Sequence, residues 1–328
     1  MKTLLAYLQL LRLPNVFTAM ADIFMGFLIS HGTLDPWTEI APLLVASSCI
    51  YLSGMVLNDW FDIEVDRIER PERPLPSGRV PRSHALIAGI GLLVVGVTAA
   101  IIAGGTSRNV ALLLVVAVLL YDGVVKNTML GPAVMGLCRT LNVLLGMSTV
   151  AGAIWIPSIA DPPQAFRLGT MIAAGIGLYT MGVTRFARNE ATGLPMNPLS
   201  ATLGFNLGLL LIAFAGHASQ QLGIVIVDAE SPYWIRCLSD PKAFDATTRF
   251  YTASAIWLVA VAAINFMVMR GVIDGEPKKV QQAVKTCILA LIGIDAAAVA
   301  LFCGPVWAAG VLALLVPTLT LGRWVYST

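Results

Sequence analysis

The sequence predicts an all-α fold, a polytopic membrane bundle of nine or ten spanning helices. Three observations carry this. Of 328 residues 57% are apolar and only 12% charged, about half of the ~25% charged residues usual in soluble domains. Apolar runs of about 20 residues, the length that crosses a bilayer as helix, recur along the whole chain. The alternating ten-residue pattern of a membrane barrel is absent, which leaves helices as the way to satisfy the backbone in lipid.

Residues 3–12 read as a helix lying along the membrane surface and leading into the first span. Gln9, Arg12 and Pro14 interrupt the apolar run there, which argues against a cleaved signal ending at Ala19-Met20-Ala21. Spans then fall near 14–31, 39–59, 83–104, 109–123, 129–153, 167–187, 199–217, 250–271, 283–303 and 305–323. The fourth is short, and only Gly304-Pro305 divides the last two, hence nine or ten. The long segment 218–249 carries few charges and is expected on the outer membrane surface. No linker or low-complexity tract interrupts the chain, so residues 1–328 form a single transmembrane domain.

Lys and Arg set the topology. With the N-terminus inside, fifteen of them fall on inner segments, from Lys2 and Arg12 to Arg323, and five on outer ones: Arg108, Arg167, Arg236, Lys242 and Arg249. Arg139 lies within a span. The five cysteines form no CxxC pair, so neither a disulfide framework nor a zinc site is indicated. The tryptophans fit interfacial belts, and nothing suggests nucleic-acid binding.

One polar stretch stands out. Asn58, Asp59, Asp62 and Asp66 close the second span, followed by Arg67, Arg70, Arg73 and Arg79 in a Pro-stiffened loop. Dense charge at a membrane boundary marks a functional site by default. At i, i+3 and i+7 the three aspartates lie within ~60° of one helix face. Carboxylates on one stripe repel each other unless a cation sits among them. An oxygen-only set suits Mg2+, which shares its shell with substrate phosphates, and arginines suit phosphate oxygens. The competing reading is a solvated helix end whose arginines serve only topology. The predominance of cations on the inner side puts the motif in the cytoplasm.

The pattern N-D-x-x-D-x-x-x-D-R, then R-P-x-R-P-L-P-S-G-R, resembles the first aspartate-rich motif and following loop of the UbiA superfamily of intramembrane prenyltransferases. Leu11-Arg12-Leu13-Pro14-Asn15 and Tyr121-Asp122-x-x-x-Lys126 are similar to two further, weaker family features. The resemblance covers residues 8–200 well and the remainder by span pattern only. It implies a helical bundle around a central cavity open to lipid, with Mg2+ held by aspartate-rich motifs and binding an isoprenyl diphosphate. The diphosphate leaves and a small hydrophobic, aromatic or lipid-like acceptor attacks the allylic cation. On this chain the resemblance makes Asn58, Asp59, Asp62 and Asp66 the metal ligands on which catalysis depends. Arg67, Arg73, Arg79 and Lys126 become diphosphate contacts. Mg2+ and basic groups would stabilise the leaving group, and an apolar cavity would keep water from the cation.

The chain departs from the family at its second aspartate-rich motif. The matching stretch, Tyr179–Glu190, contains no aspartate. Arg185 and Arg188 share a face there, and either hold the diphosphate in place of a second metal or serve as cytoplasmic anchors. This departure resembles a divergent, EboC-like branch of the superfamily. Within the fifth span, Arg139 needs a partner or a wet cavity. It contacts diphosphate or acceptor, or pairs with an acid such as Asp122. Asn142, one turn on, shares that substrate-facing position or makes a helix–helix hydrogen bond. Asp122 and Lys126 are spaced to pair locally, and Asp295 lies mid-span. The expected activity is prenyl transfer. The alternatives are a prenyl-lipid carrier that binds diphosphate without turnover, and a transporter of inverted repeats, for which no paired helix interruption is found.

Overall fold

A computed structural model describes residues 2–150, 164–191, 198–221, 246–274 and 276–325. The helices are α1 (Lys2–Leu10), α2 (Val16–His31), α3 (Trp37–Phe61), α4 (Ile63–Glu69), α5 (Arg82–Ala103), α6 (Gly105–Leu120) and α7 (Gly131–Gly146). They continue with α8 (Gln164–Ala191), α9 (Pro198–Gln221), α10 (Ala246–Asp274), α11 (Pro277–Cys303), α12 (Pro305–Leu312) and α13 (Leu315–Val325). No strand occurs among the described residues. Most of the outer segment 218–249 lies outside them.

Each expected span is met by helix, although in the fifth, expected over 129–153, the helix ends at Gly146 and residues 151–153 lie outside those described. Among the described residues, seven stretches are long and apolar enough to cross a membrane: Leu13–His31, Trp37–Phe61, Arg82–Ala103, Gly105–Val125, Thr247–Asp274, Lys278–Cys303 and Pro305–Val325. Glycines divide the spans where an L side chain would be strained. Gly104 (φ 146°) separates α5 from α6, and Gly304 (φ 99°) separates α11 from α12.

Helices α2, α3, α6, α7, α8 and α11 close a ring, each packed on the next. Helices α5, α9, α10 and α12 pack outside it and turn residues such as Val94, Leu210 and Val259 outward. No hydrophobic force drives helices together in lipid, so small residues at their crossings decide how closely they approach. At the α2–α7 crossing a Cβ on Gly26 would stand 2.5 Å from the Val143 carbonyl oxygen. At the α8–α9 crossing a Cβ on Gly182 would stand 2.2 Å from the Phe205 nitrogen.

The segment after α4 is a folded cap. Leu75 and Val80 bury against Ala6 and Leu10 of α1 and Val56 of α3. Ser77 N–H donates to the Arg73 carbonyl (3.1 Å), and Gly78 (φ 73°) makes the turn before Val80 N–H reaches the Pro74 carbonyl (3.0 Å). The helical α1 expected near 3–12 thus packs directly on the acidic end of α3.

Candidate active site

The ring encloses a cavity of about 400 Å³. Its walls are mostly apolar, with Ile50, Met55, Leu114 and Val118 on one side and Val183, Ile288 and Leu291 on another. Arg12, Asn15, Tyr121 and Asp122 line it as well.

The acidic motif is neutralised by three cations that come from three separate parts of the chain. Arg12 Nη2 donates to Asp59 Oδ1 at 2.6 Å. Arg73 Nη1 bridges Asp66 Oδ2 (2.7 Å) and Asp59 Oδ1 (3.5 Å). Lys126 Nζ donates to Asn58 Oδ1 (2.7 Å) and to the Asp62 carboxylate. Asp59 and Asp66 are 4% and 3% exposed, so these are desolvated charge-assisted bonds rather than surface pairs.

Local structure explains how the cations arrive. Arg12 sits at φ 46°, ψ 44° in the left-handed region ahead of a 3-10 turn over Leu13–Asn15. A non-glycine residue is sparsely found there, and such positions cluster at functional sites. The cap delivers Arg73. A π-turn over Tyr121–Val125, closed by Lys126 N–H on the Tyr121 carbonyl (3.0 Å), delivers Lys126. The extra residue frees Lys126 from the expected local pair with Asp122 and sends it across to α3. The aspartates do not share one unbroken helix: Asp62 (φ −84°, ψ 2°) marks the joint between α3 and α4. Asp59 and Asp66 therefore meet over Arg73 while Asp62 turns to Lys126.

Other predicted residues are placed elsewhere. Arg67 is exposed and forks onto Glu64 at 2.8 and 2.9 Å. Arg79 ties the cap together, donating to Ser77 Oγ (3.1 Å), Gln9 Oε1 (3.0 Å) and the Glu72 carbonyl. Arg188 donates to the Thr128 carbonyl, and Arg185 is exposed; neither lines the cavity. In the stretch without aspartates it is Tyr179, Thr180 and Thr184 that face the cavity. The side chains of Asn189 and Glu190 lie outside the described residues.

Arg139 and Asn142 line the cavity too, but their partner is an acid that the spacing argument overlooked. Arg139 Nη1 pairs with Asp22 Oδ2 at 2.9 Å, and its Nη2 donates to Thr18 Oγ1 at 2.7 Å. Asn142 Nδ2 donates to the same Asp22 oxygen (2.8 Å) and to the Ala19 carbonyl (2.9 Å), while its Oδ1 accepts from Ser47 (2.6 Å). Asp22 is fully buried, and Asp295 of α11 adjoins it. This network joins α2, α3, α7 and α11 across the bundle. An acid in the middle of the first span was the signal available in the sequence.

The donor chemistry fits Mg2+. Asn58, Asp59, Asp62 and Asp66 offer only hard oxygen donors. Among the described residues no three acidic, histidine or cysteine side chains come together in a group that could hold a metal ion by themselves. Mg2+ does not need one, since it takes one or two carboxylates and completes its shell with water and substrate phosphate. A cluster of acids and cations joined through Arg12 to an apolar cavity can hold a diphosphate head while sheltering an apolar tail.

The profile of the UbiA prenyltransferase family matches residues 19–238. The digeranylgeranylglyceryl phosphate synthase of Methanopyrus kandleri is 35% identical over 248 residues, which is 69% of this chain and 90% of that protein. A solved structure concerning digeranylgeranylglyceryl phosphate synthase superposes with a TM-score of 0.60 at 17% identity, covering 95% of this chain and 99% of the other. A UbiA homologue from Archaeoglobus fulgidus, solved with GPP and Mg2+, superposes with a TM-score of 0.50 at 15% identity, covering 94% and 99%. At these identities the structures bear on the fold alone.

Proposed function

The chain belongs to the UbiA prenyltransferase family, an integral multi-pass membrane protein, and on that premise we propose that it transfers an isoprenyl group from an isoprenyl diphosphate to a hydrophobic acceptor. The observation that carries this reading is the neutralised acid stripe tied to an apolar cavity through Arg12, which pairs with Asp59 and lines the cavity wall. The cation-rich end of the bundle supports a cytoplasmic mouth.

Arg12, Arg73 and Lys126, held against acids in the structure, would exchange those partners for phosphate oxygens when a diphosphate enters. Asn58, Asp59, Asp62 and Asp66 would hold Mg2+, which when bound neutralises diphosphate charge and makes it a better leaving group. The apolar wall made by Ile50, Met55, Leu114 and Val118 surrounds the prenyl chain and keeps water from the allylic cation. The named product of the Methanopyrus relative makes geranylgeranyl diphosphate and geranylgeranylglyceryl phosphate the first donor and acceptor to try.

A second reading, a carrier that binds prenyl diphosphate without turnover, is favoured by one observation: Arg185 and Arg188 stand outside the cavity where the family carries acids. One experiment separates the two. Purified protein in nanodiscs is given radiolabelled geranylgeranyl, farnesyl or geranyl diphosphate, with and without Mg2+, alone and with an acceptor panel. Enzyme action predicts Mg2+-dependent prenyl product that disappears in Asp62→Ala. Tight diphosphate binding with neither transfer nor release of prenyl alcohol would decide for the carrier.

A further inference from the structure

Asp122 lies within the field of Lys126 and Arg12 but, among the described residues, makes no ion pair with either. It lies on the cavity wall and is 9% exposed. Its Oδ2 is buried without a hydrogen-bond partner among the described residues. Lys126, four residues on, is occupied by Asn58 and Asp62, and Arg139 by Asp22. Among the described residues one other buried side-chain oxygen of the cavity wall shares this condition, Thr180 Oγ1 on α8. A carboxylate in an apolar wall with no donor from the protein is costly, and π-turns such as the one that carries Asp122 gather at functional sites.

A diphosphate cannot be the missing partner, because like charges repel. The group that suits Asp122 brings a proton and no negative charge. Resting on the prenyl-transfer reading above, we infer that Asp122 binds the hydroxyl of the acceptor and takes its proton, so that the acceptor is an alcohol or phenol prenylated on oxygen. In the step, the bond between the prenyl C1 and the diphosphate oxygen breaks and its electron pair leaves with the diphosphate. The acceptor oxygen forms the new bond to C1, and its proton passes to the Asp122 carboxylate. Ether and diphosphate are the products, and no redox partner is required.

The test uses the full-length protein in nanodiscs with geranylgeranyl diphosphate and Mg2+. Geranylgeranylglyceryl phosphate and a series of para-substituted phenols serve as acceptors. The readout is the ratio of prenyl ether to geranylgeraniol, which reports capture of the cation independently of its formation. Asp122→Asn is expected to lower that ratio about 100-fold for 4-methoxyphenol, the scale of a lost general base. Diphosphate affinity and total diphosphate release should stay within about threefold, since a base that acts on the acceptor proton has no part in ionising the diphosphate. The more acidic 4-nitrophenol, which needs little help in losing its proton, should recover most of the ratio in Asp122→Asn. Asp122→Glu, which restores a carboxylate, should recover much of it for every acceptor and guards against a folding defect.

An unchanged ratio in Asp122→Asn, or an equal loss with every phenol, overturns the inference. So does a parallel loss of diphosphate binding, which would assign Asp122 to the donor site, and so does diphosphate release by the parent protein with no ether from any acceptor. If the parent protein neither binds nor ionises the diphosphate, the prenyl-transfer reading itself fails and takes this one with it.

Discussion

Arg139→Met tests whether the buried network holds the bundle together. Methionine keeps much of the length and apolar stem of arginine but removes the guanidinium. Asp22 is fully buried and would lose the 2.9 Å ion pair, keeping Asn142 as its donor. Asp295 would remain beside it. Thr18 Oγ1 would lose the 2.7 Å donor from Nη2. Removing one partner of a buried pair leaves an uncompensated charge and costs ~3–5 kcal/mol. The bond-by-bond reckoning agrees, since a hydrogen bond between charged groups contributes ~1.5–3 kcal/mol and that to threonine adds about 1. Asp22→Asn in the same chain removes the stranded charge while keeping shape, so the double variant should recover ~2 kcal/mol or more of the loss. The assay is unfolding in mixed micelles followed by helicity, on the parent, both single variants and the double variant. A single variant within ~1 kcal/mol of the parent, or a double variant no better than Arg139→Met, would refute the claim that this charge pair is stabilised by its burial geometry.

Three further outcomes follow from the geometry. Gly26→Ala places a methyl 2.5 Å from the Val143 carbonyl oxygen, which backbone on both sides prevents from relaxing, so stability should fall by ~1–3 kcal/mol in the same unfolding assay. Arg73→Ala should weaken prenyl-diphosphate binding at least tenfold, because Asp59 and Asp66 lose their shared cation and the substrate loses a phosphate donor; Arg67→Ala, which removes only an exposed pair with Glu64, should stay within about threefold by isothermal titration. Lys126→Met should weaken the same binding and make it more dependent on Mg2+, as Asn58 and Asp62 are left without a fixed cation; equal Mg2+ dependence in parent and variant would argue against a shared site.

The helical membrane fold was legible because it depends on composition and length, which are local properties of the chain. So was the acidic motif, since four chelating residues within nine positions are visible without any tertiary information. The resemblance carried by that motif and its loop was matched by the family profile over residues 19–238. What spacing could not supply was the choice of partner. Asp122 and Lys126 are four apart and read as a local pair, yet a π-turn redirects Lys126 to α3. Arg139 had several candidate acids, and Asp22, 117 positions away in sequence, is chosen by the close α2–α7 crossing that Gly26 and Gly146 permit. Arg79 and Arg73 look equivalent in the loop, but the cap's turns send one to α1 and the other to the acids.

The sequence by itself therefore determined that this is a helical membrane protein with an oxygen-rich, cation-flanked site at one end of its second span. Hydrophobicity acts residue by residue, and the motif's four oxygen donors lie within nine positions of the chain, although the joint at Asp62 was not legible there. Tertiary structure alone decided which cations neutralise which acids, that the cavity passes Asp122 and Arg139 rather than Arg185, and that one Asp122 oxygen finds no hydrogen-bond donor among the described residues. Those outcomes depend on where helices distant in sequence cross, and the crossings are set by the packing of the whole ring.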